Sequence, residues 1–306
     1  MRNTLILATL AVALMTAAAD AIASSEQPAG ARSSPAASVH PSLWDALPRR
    51  APDAQVEAAV SALIEHMSLE DKVGQMIQAD IAAIRPADLA GIHLGSILAG
   101  GNAAPNDDVL SPPAAWLAMA EAFHHAASAP GSARSPILPL LGIDAVHGHA
   151  KVIGATLFPH NVGLGAMHDA GLVQRIGAAT AEEVAATGFD WTFAPTVAVV
   201  RDVRWGRTYE SYSEQPALVR EYAAALVTGL QGELGTPDFL GPGHTLSSVK
   251  HFIGDGGTED GRDQGNTVIS ESELARVHAA GYYGALGAGA QIVMASYNSW
   301  NGNKVH

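Results

Sequence analysis

Six short apolar runs separated by stretches of helical periodicity constrain this chain more than any other feature. They lie at residues 73–78, 95–99, 137–143, 191–199, 246–252 and 291–297, and none alternates strictly between apolar and polar residues. A strand with one wet face alternates, whereas a strand covered on both faces does not. The intervening helices have legible ends. Ser68 precedes Leu-Glu-Asp, which places an acid three residues after a capping hydroxyl. Pro112 and Pro113 open a helix reaching about Ala129, and others follow Asp169 as far as Gly188, lie between Pro216 and Gly232, and open at Ser270 to end near Gly289. Strand–helix units of this length predict an α/β fold with a parallel sheet, either a (β/α)8 barrel or a doubly wound sheet. Both place their chemistry at the carboxyl ends of the strands.

The start of the chain bears on compartment. Met1-Arg2-Asn3-Thr4 is a short positive start, residues 5–19 are apolar, and Ala17, Ala19, Ala21 and Ala23 offer cleavage frames, so residues 1–23 are expected to form a signal peptide. The run is shorter than the ~20 residues of a membrane span, and no membrane insertion is expected after cleavage. Residues 24–42, rich in Ser, Pro, Ala and Gly, are expected to be a flexible linker, with the folded domain over 43–306. With 17 Lys and Arg against 30 Asp and Glu, the chain lacks the basic clusters that nucleic acid or an anionic membrane surface would reward. It has no cysteine, which excludes a disulfide framework, a thiolate nucleophile and a lipid on an N-terminal cysteine. The expected localisation is export from a bacterial cell, periplasmic or secreted.

The ends of the apolar runs are unusually polar. The third finishes in GIDAVHG at 142–148, where Asp144 is either an acceptor for two neighbouring hydroxyls of a sugar or the cap of a following helix. The fifth finishes in KHFIGDGG at 250–257, with Lys250 and His251 side by side. Neighbouring strand residues face opposite ways, so a bulge or the strand's end must turn one of them if both serve a pocket. After the fourth, residues 201–210 hold three arginines, two acids and two aromatics. Indole faces there suit the C–H faces of pyranose rings, and arginine forks suit hydroxyls or carboxylates, while Arg201 and Asp202 are expected to form structural ion pairs. The sixth ends in SYNSWNG at 296–302, another group of hydroxyl, amide and indole side chains. No glycine-rich phosphate loop occurs.

Taken in order, LEDKVGQM (69–76), GIDAVHGH (142–149), ATLFPHNVGLGA (155–166), DVRWGRTYESYSE (202–214), KHFIGDGGT (250–258) and MASYNSWNG (294–302) resemble glycoside hydrolase family 3. The resemblance implies an N-terminal (β/α)8 barrel followed by a second α/β domain, and retaining hydrolysis of β-linked glucosides or β-glucan oligosaccharides without a cofactor. Position by position, it implies that Asp144, Arg207, Lys250 and His251 hold hydroxyls of the terminal sugar and that Tyr297 lies against the nucleophile. Relatives acting on β-N-acetylglucosaminides carry an Asp-His dyad after the KHF strand. Here that loop reads GDGGTEDGRDQGNT, without histidine, which favours glucosides.

Two rival functions are weighed against this one. His147 and His149, on alternate residues of an extended segment, suit a metal-dependent barrel hydrolase, although such a pair belongs on the first barrel strand and here follows the third. A non-catalytic sugar-binding remnant would keep the Asp144 and Lys250 contacts without turnover. Retaining hydrolysis needs two carboxyl groups ~5 Å apart. The resemblance places the nucleophilic Asp in a Ser-Asp-Trp motif on the next strand and the acid/base in the second domain, both past His306, so no catalytic carboxylate is expected within 306 residues. Six strands against the eight of a barrel point the same way. The coding sequence past codon 306, in this frame or a corrected one, is therefore expected to encode an apolar strand ending in Ser-Asp-Trp; sequencing that finds a stop and no such strand in any frame would overturn this.

Overall fold

The computed structural model describes residues 39–47, 53–129 and 137–306. The expected signal peptide and the linker up to residue 38 lie outside them. Residues 39–42 lie against the fold: the His40 backbone N–H and Nδ1 both reach the Glu271 carboxylate at 2.6 Å.

The strands are β1 (Gln78–Asp80), β2 (Ser96–Ala99), β3 (Leu140–Ile143), β4 (Trp191–Thr192), β5 (Leu246–Phe252), β6 (Asn266–Thr267), β7 (Ile292–Ala295), β8 (Ser299–Trp300) and β9 (Asn303–Lys304). The helices are α1 (Ala54–His66), α2 (Leu69–Gly74), α3 (Pro113–Ser128), α4 (Asn161–Met167), α5 (Ala170–Ala186), α6 (Pro216–Gln231), α7 (Glu271–Glu273) and α8 (Ala280–Gly287), the last two joined by a π-helical turn, Leu274–His278. β1, β2, β3, β4, β5 and β7 form one parallel sheet in that spatial order. A doubly wound sheet reverses its strand order at a switch point; here the order never reverses, so the sheet is six strands of a (β/α)8 barrel.

Several boundaries differ from the sequence expectation, each for a local reason. The run at 73–78 is mostly helix and turn, because the Ser68–Asp71 capping box starts α2 and carries it to Gly74. The strand proper begins at Gln78. The run at 191–199 contributes only Trp191 and Thr192 to the ladder, since Pro195 has no N–H to donate; pairing resumes at Thr196 as a single bridge to Lys250. Helices α1 and α4 have no counterpart in the sequence expectation; α1 is capped by Asp53, whose carboxylate accepts from the Gln55 and Val56 amides.

The core has two parts. Beneath β2 and β3, Ile97, Leu141 and Ile143 pack with Trp116 and Phe123 of α3. Beside β4 and β5, Val173, Tyr222, Val227 and Leu230 of α5 and α6 pack with Val197 and Val249. α5 and α6 approach until backbones touch: a Cβ at Gly229 would sit 2.1 Å from the Gln174 carbonyl oxygen. Past β7 the chain turns into the β8–β9 hairpin through Asn301 and Gly302, both at positive φ, and β8 pairs with β6 to hold the loop that follows β5.

Among the described residues β1 and β7 are sheet edges, and apolar side chains near them face solvent, Met76 at 86% and Val293 at 40% exposure. Each exposed apolar Å2 forgoes roughly 25 cal/mol, so a few hundred Å2 rivals the ~5–15 kcal/mol net stability of a domain. Residues 1–306 expressed alone are expected to bind ANS, aggregate through these edges and melt without cooperativity; a soluble monomer with a sharp calorimetric transition would contradict this.

Candidate active site

Two strand ends and one loop converge. Asp144 follows β3, Arg207 lies on the loop after β4, and Lys250 and His251 close β5. Lys250 is buried, and its Nζ donates to Asp144 Oδ1 at 2.8 Å. Arg207 Nε and Nη2 donate to the two carboxylate oxygens of Glu210 at 2.7 and 2.9 Å, and Nη2 also lies 3.1 Å from His251 Nε2. The other imidazole nitrogen, Nδ1, is 2.9 Å from Asp255 Oδ2. Lys250 and His251, neighbours on one strand, thus reach adjoining sets of groups, linked through Thr196, which bridges to the Lys250 backbone and donates to Glu210. The β5–β7 register shifts between Lys250 and Phe252, and the Lys250–His251 and Phe252–Ile253 peptides are cis.

Four of the five expected residues therefore form two adjoining pairs, Asp144 with Lys250 and Arg207 with His251, and the fifth does not join them. Tyr297 is 65% exposed, with its ring against that of His306 at 5.3 Å. Asp144 caps no helix, since an isolated bridge and turns follow it rather than a helix. Arg201 and Asp202 hold the loop, bonding to the Glu214 carbonyl at 3.3 Å and to Arg204 at 2.5 Å. The indoles depart from expectation. Trp205 is buried with its Nε1–H on Asp263 at 2.9 Å, and Trp300 donates to the Ile269 carbonyl at 3.0 Å. The Trp205 ring is thereby withdrawn from any sugar, while Trp300 is half-buried and tied by its N–H. Asn298 is likewise buried, with its amide on the carbonyls of Ile253 and Ser299.

His147 and His149 part company. His149 is buried, its Nε2 2.7 Å from Thr187 Oγ1, and burial pushes its pKa down to about 4. His147 instead stacks edge-on with His160, centroids 4.4 Å apart, and His160 in turn lies edge-on to Tyr209. The two imidazoles share no focus, and no group of three or more His, Asp or Glu side chains among the described residues is placed to hold a metal ion. The described residues offer no geometry for the metal-dependent alternative.

Glu210 and Asp255 were not singled out from sequence, although each lies inside a quoted motif. The available signal was spacing, three residues from Arg207 and four from His251. Glu210 is the hub: Thr196 Oγ1 donates to its Oε2 at 3.2 Å, and the buried Asn161 amide donates to its backbone carbonyl at 2.7 Å. Burial alone would raise the Glu210 pKa, but the Arg207 fork, helped by the charges of Lys250 and His251, holds it below the usual range. Burial lowers the Arg207 pKa, and Glu210 more than offsets it.

The model of the glycosyl hydrolase family 3 N-terminal domain matches residues 68–306. The chain belongs to this family. A solved exo-1,3/1,4-beta-glucanase from a Pseudoalteromonas species is similar at 52% identity with a TM-score of 0.80, over 83% of this chain and 32% of that one. The lysosomal beta glucosidase of Dictyostelium discoideum is 32% identical over 267 residues, 81% of this chain and 32% of that protein. A periplasmic beta-glucosidase of Salmonella typhimurium is 28% identical over 248 residues, 80% of this chain and 30% of that protein. The chain thus spans about a third of the length of these relatives.

A carboxyl group with a depressed folded pKa stabilises the fold above its unfolded value, about 4.3, and that contribution is lost as pH falls through the folded value. Glu210→Gln is expected to cost about 2 kcal/mol at pH 7, less than the ~3–5 kcal/mol of a fully buried pair because Arg207 is a third exposed. The gap between wild type and variant should narrow below about pH 4. Paired melting curves from pH 3 to 7 would check this, and a gap independent of pH would refute it.

Proposed function

We propose that this chain supplies the hydroxyl-binding side of the active site of a retaining β-glucosidase that releases terminal β-D-glucose from β-glucosides or β-glucan oligosaccharides. The observation that carries this is the alternation of donors and acceptors across Lys250–Asp144 and Glu210–Arg207–His251–Asp255. Each sugar hydroxyl donates once and accepts, so a surface of alternating ammonium, guanidinium and carboxylate groups satisfies several at once. Such contacts shorten as charge develops at the anomeric carbon, which directs binding energy to the transition state.

The cluster grips rather than attacks. Asp144, Glu210 and Asp255 are each engaged by a basic side chain, Lys250, Arg207 and His251. We assign neither nucleophile nor acid/base to them and place both carboxyl groups elsewhere in the active protein, with Tyr297 beside the nucleophile. The names of the relatives, two glucosidases and one exo-glucanase, support glucosides as the substrate class. The polar N-terminal start and apolar run, with a relative described as periplasmic, support export. No helix among the described residues is long and apolar enough to cross a membrane.

In the full chain expressed from its gene, Asp144→Asn is expected to cut kcat/KM for an aryl β-glucoside by ~100-fold or more, and Lys250→Ala to do likewise. Steady-state kinetics decide. Wild-type rates in the Asp144 variant would remove it from the site, and sugar binding without any turnover by the wild type would leave a binding protein.

A further inference from the structure

On the side of Asp144 that faces β1 and β2 lies a cation the grip above does not use. Lys151 is half-buried in the turn after residues 142–149, and its Nζ donates to the Ala99 carbonyl at the end of β2 at 2.7 Å. Burial pulls its pKa down, while the charges of Asp144 and then Asp80 push back. Ala99 is in register with Ile143, the residue before Asp144, and Gly100 follows it onto Asp80, so the Lys151 ammonium is anchored at the strand end between the two carboxylates. Asp80, at the end of β1, is fixed independently: its two oxygens accept from the Ala82 and Gly100 amides at 2.8 and 3.2 Å. A Cβ at Gly100 would lie 2.6 Å from Asp80 Oδ2, so the absence of a side chain there leaves that carboxylate its place.

An ammonium has three donors and no acceptor. Among the described residues Lys151 uses one donor, on Ala99, and Asp144 uses one oxygen, Oδ1, on Lys250. The Asp144 side chain is 42% exposed. A sugar hydroxyl that donates to the second Asp144 oxygen still carries lone pairs in need of a donor. Lys250 serves the hydroxyl at Oδ1, and a carboxylate cannot serve the other.

We propose that Lys151 is a substrate-binding residue: it donates to the sugar hydroxyl held by the free oxygen of Asp144, so that Lys250, Asp144 and Lys151 form a donor–acceptor–donor row for two neighbouring hydroxyls of the terminal sugar. This rests on the β-glucosidase function proposed above. A purely structural Lys151, tying its turn to β2, would touch no substrate, and the two roles differ in how they respond to the substrate's own hydroxyls.

The test compares wild type, Lys151→Met and Lys151→Gln in the full chain, with kcat/KM measured on 4-nitrophenyl β-glucoside and its 3-, 4- and 6-deoxy analogues. Met keeps the apolar stem without donors, and Gln restores neutral donors. Lys151→Met is expected to lose about 10- to 100-fold on the parent glucoside, as for a charge-assisted hydrogen bond. On the one analogue lacking the contacted hydroxyl, that loss should shrink to about threefold or less, because the two changes remove the same interaction. Lys151→Gln should recover part of the parent rate, and it carries the same comparison should Lys151→Met fail to melt cooperatively. Equal losses on every analogue, or no loss on the parent, would overturn the assignment. Wild-type inactivity on every β-glucoside would instead overturn the proposed function, and the assignment with it.

Discussion

Lys250 is buried at the end of the parallel sheet, its side chain only 6% exposed, and the arrangement around it follows from that. An unpaired buried charge costs several kcal/mol, so a carboxylate must meet it. Asp144, at the end of β3, does so from across the strand between them. The same requirement recurs at Arg207, half-buried and answered by Glu210, and around His251, braced by Asp255. The outcome is dense in hydrogen-bonding groups with its charges largely matched. Such a surface suits a neutral polyol better than an ionic substrate, because it offers many directional contacts and little net field.

Holding these groups in register falls to the loops rather than to the strands. The loop bearing Arg207 is locked at its middle by Trp205, whose indole fills a buried site and donates to Asp263 on the loop after β5. That second loop is pinned from beneath, since a Cβ at Gly256 would meet the Val199 carbonyl at 2.6 Å. It is pinned at its far end by β6 pairing with β8. Aromatic residues that composition alone assigns to sugar stacking are thus spent on rigidity. Rigid placement is what lets hydrogen bonds discriminate between ground and transition states.

Much of the fold was legible because its signals are local. Ser68 with Asp71, Asp169 with Leu172 and Pro216 at a helix start are short-range capping or proline effects, and all three helices begin where those residues place them. The first strand was not legible, because residues 73–77 read as apolar enough for a sheet yet are taken up by the end of the preceding helix and the turn after it, and an apolar run alone does not separate these. Nor was the shortness of β4, where one proline ends the ladder inside an otherwise strand-like run.

The sequence by itself determined the parallel α/β class, the family and four residues of the candidate cluster, because strand ends in such folds are where chemistry collects and the motifs fall at those ends. The tertiary structure alone decided which charges face one another. Asp144 and Lys250 are 106 residues apart and meet only because β3 and β5 flank β4. It also decided that His147 and His149 have different surroundings, that Trp205 is core, and that Lys151 is anchored on Ala99 beside the strand end that carries Asp144. These depend on side-chain direction at the ends of strands, where bulges and turns break the simple alternation that a sequence can convey.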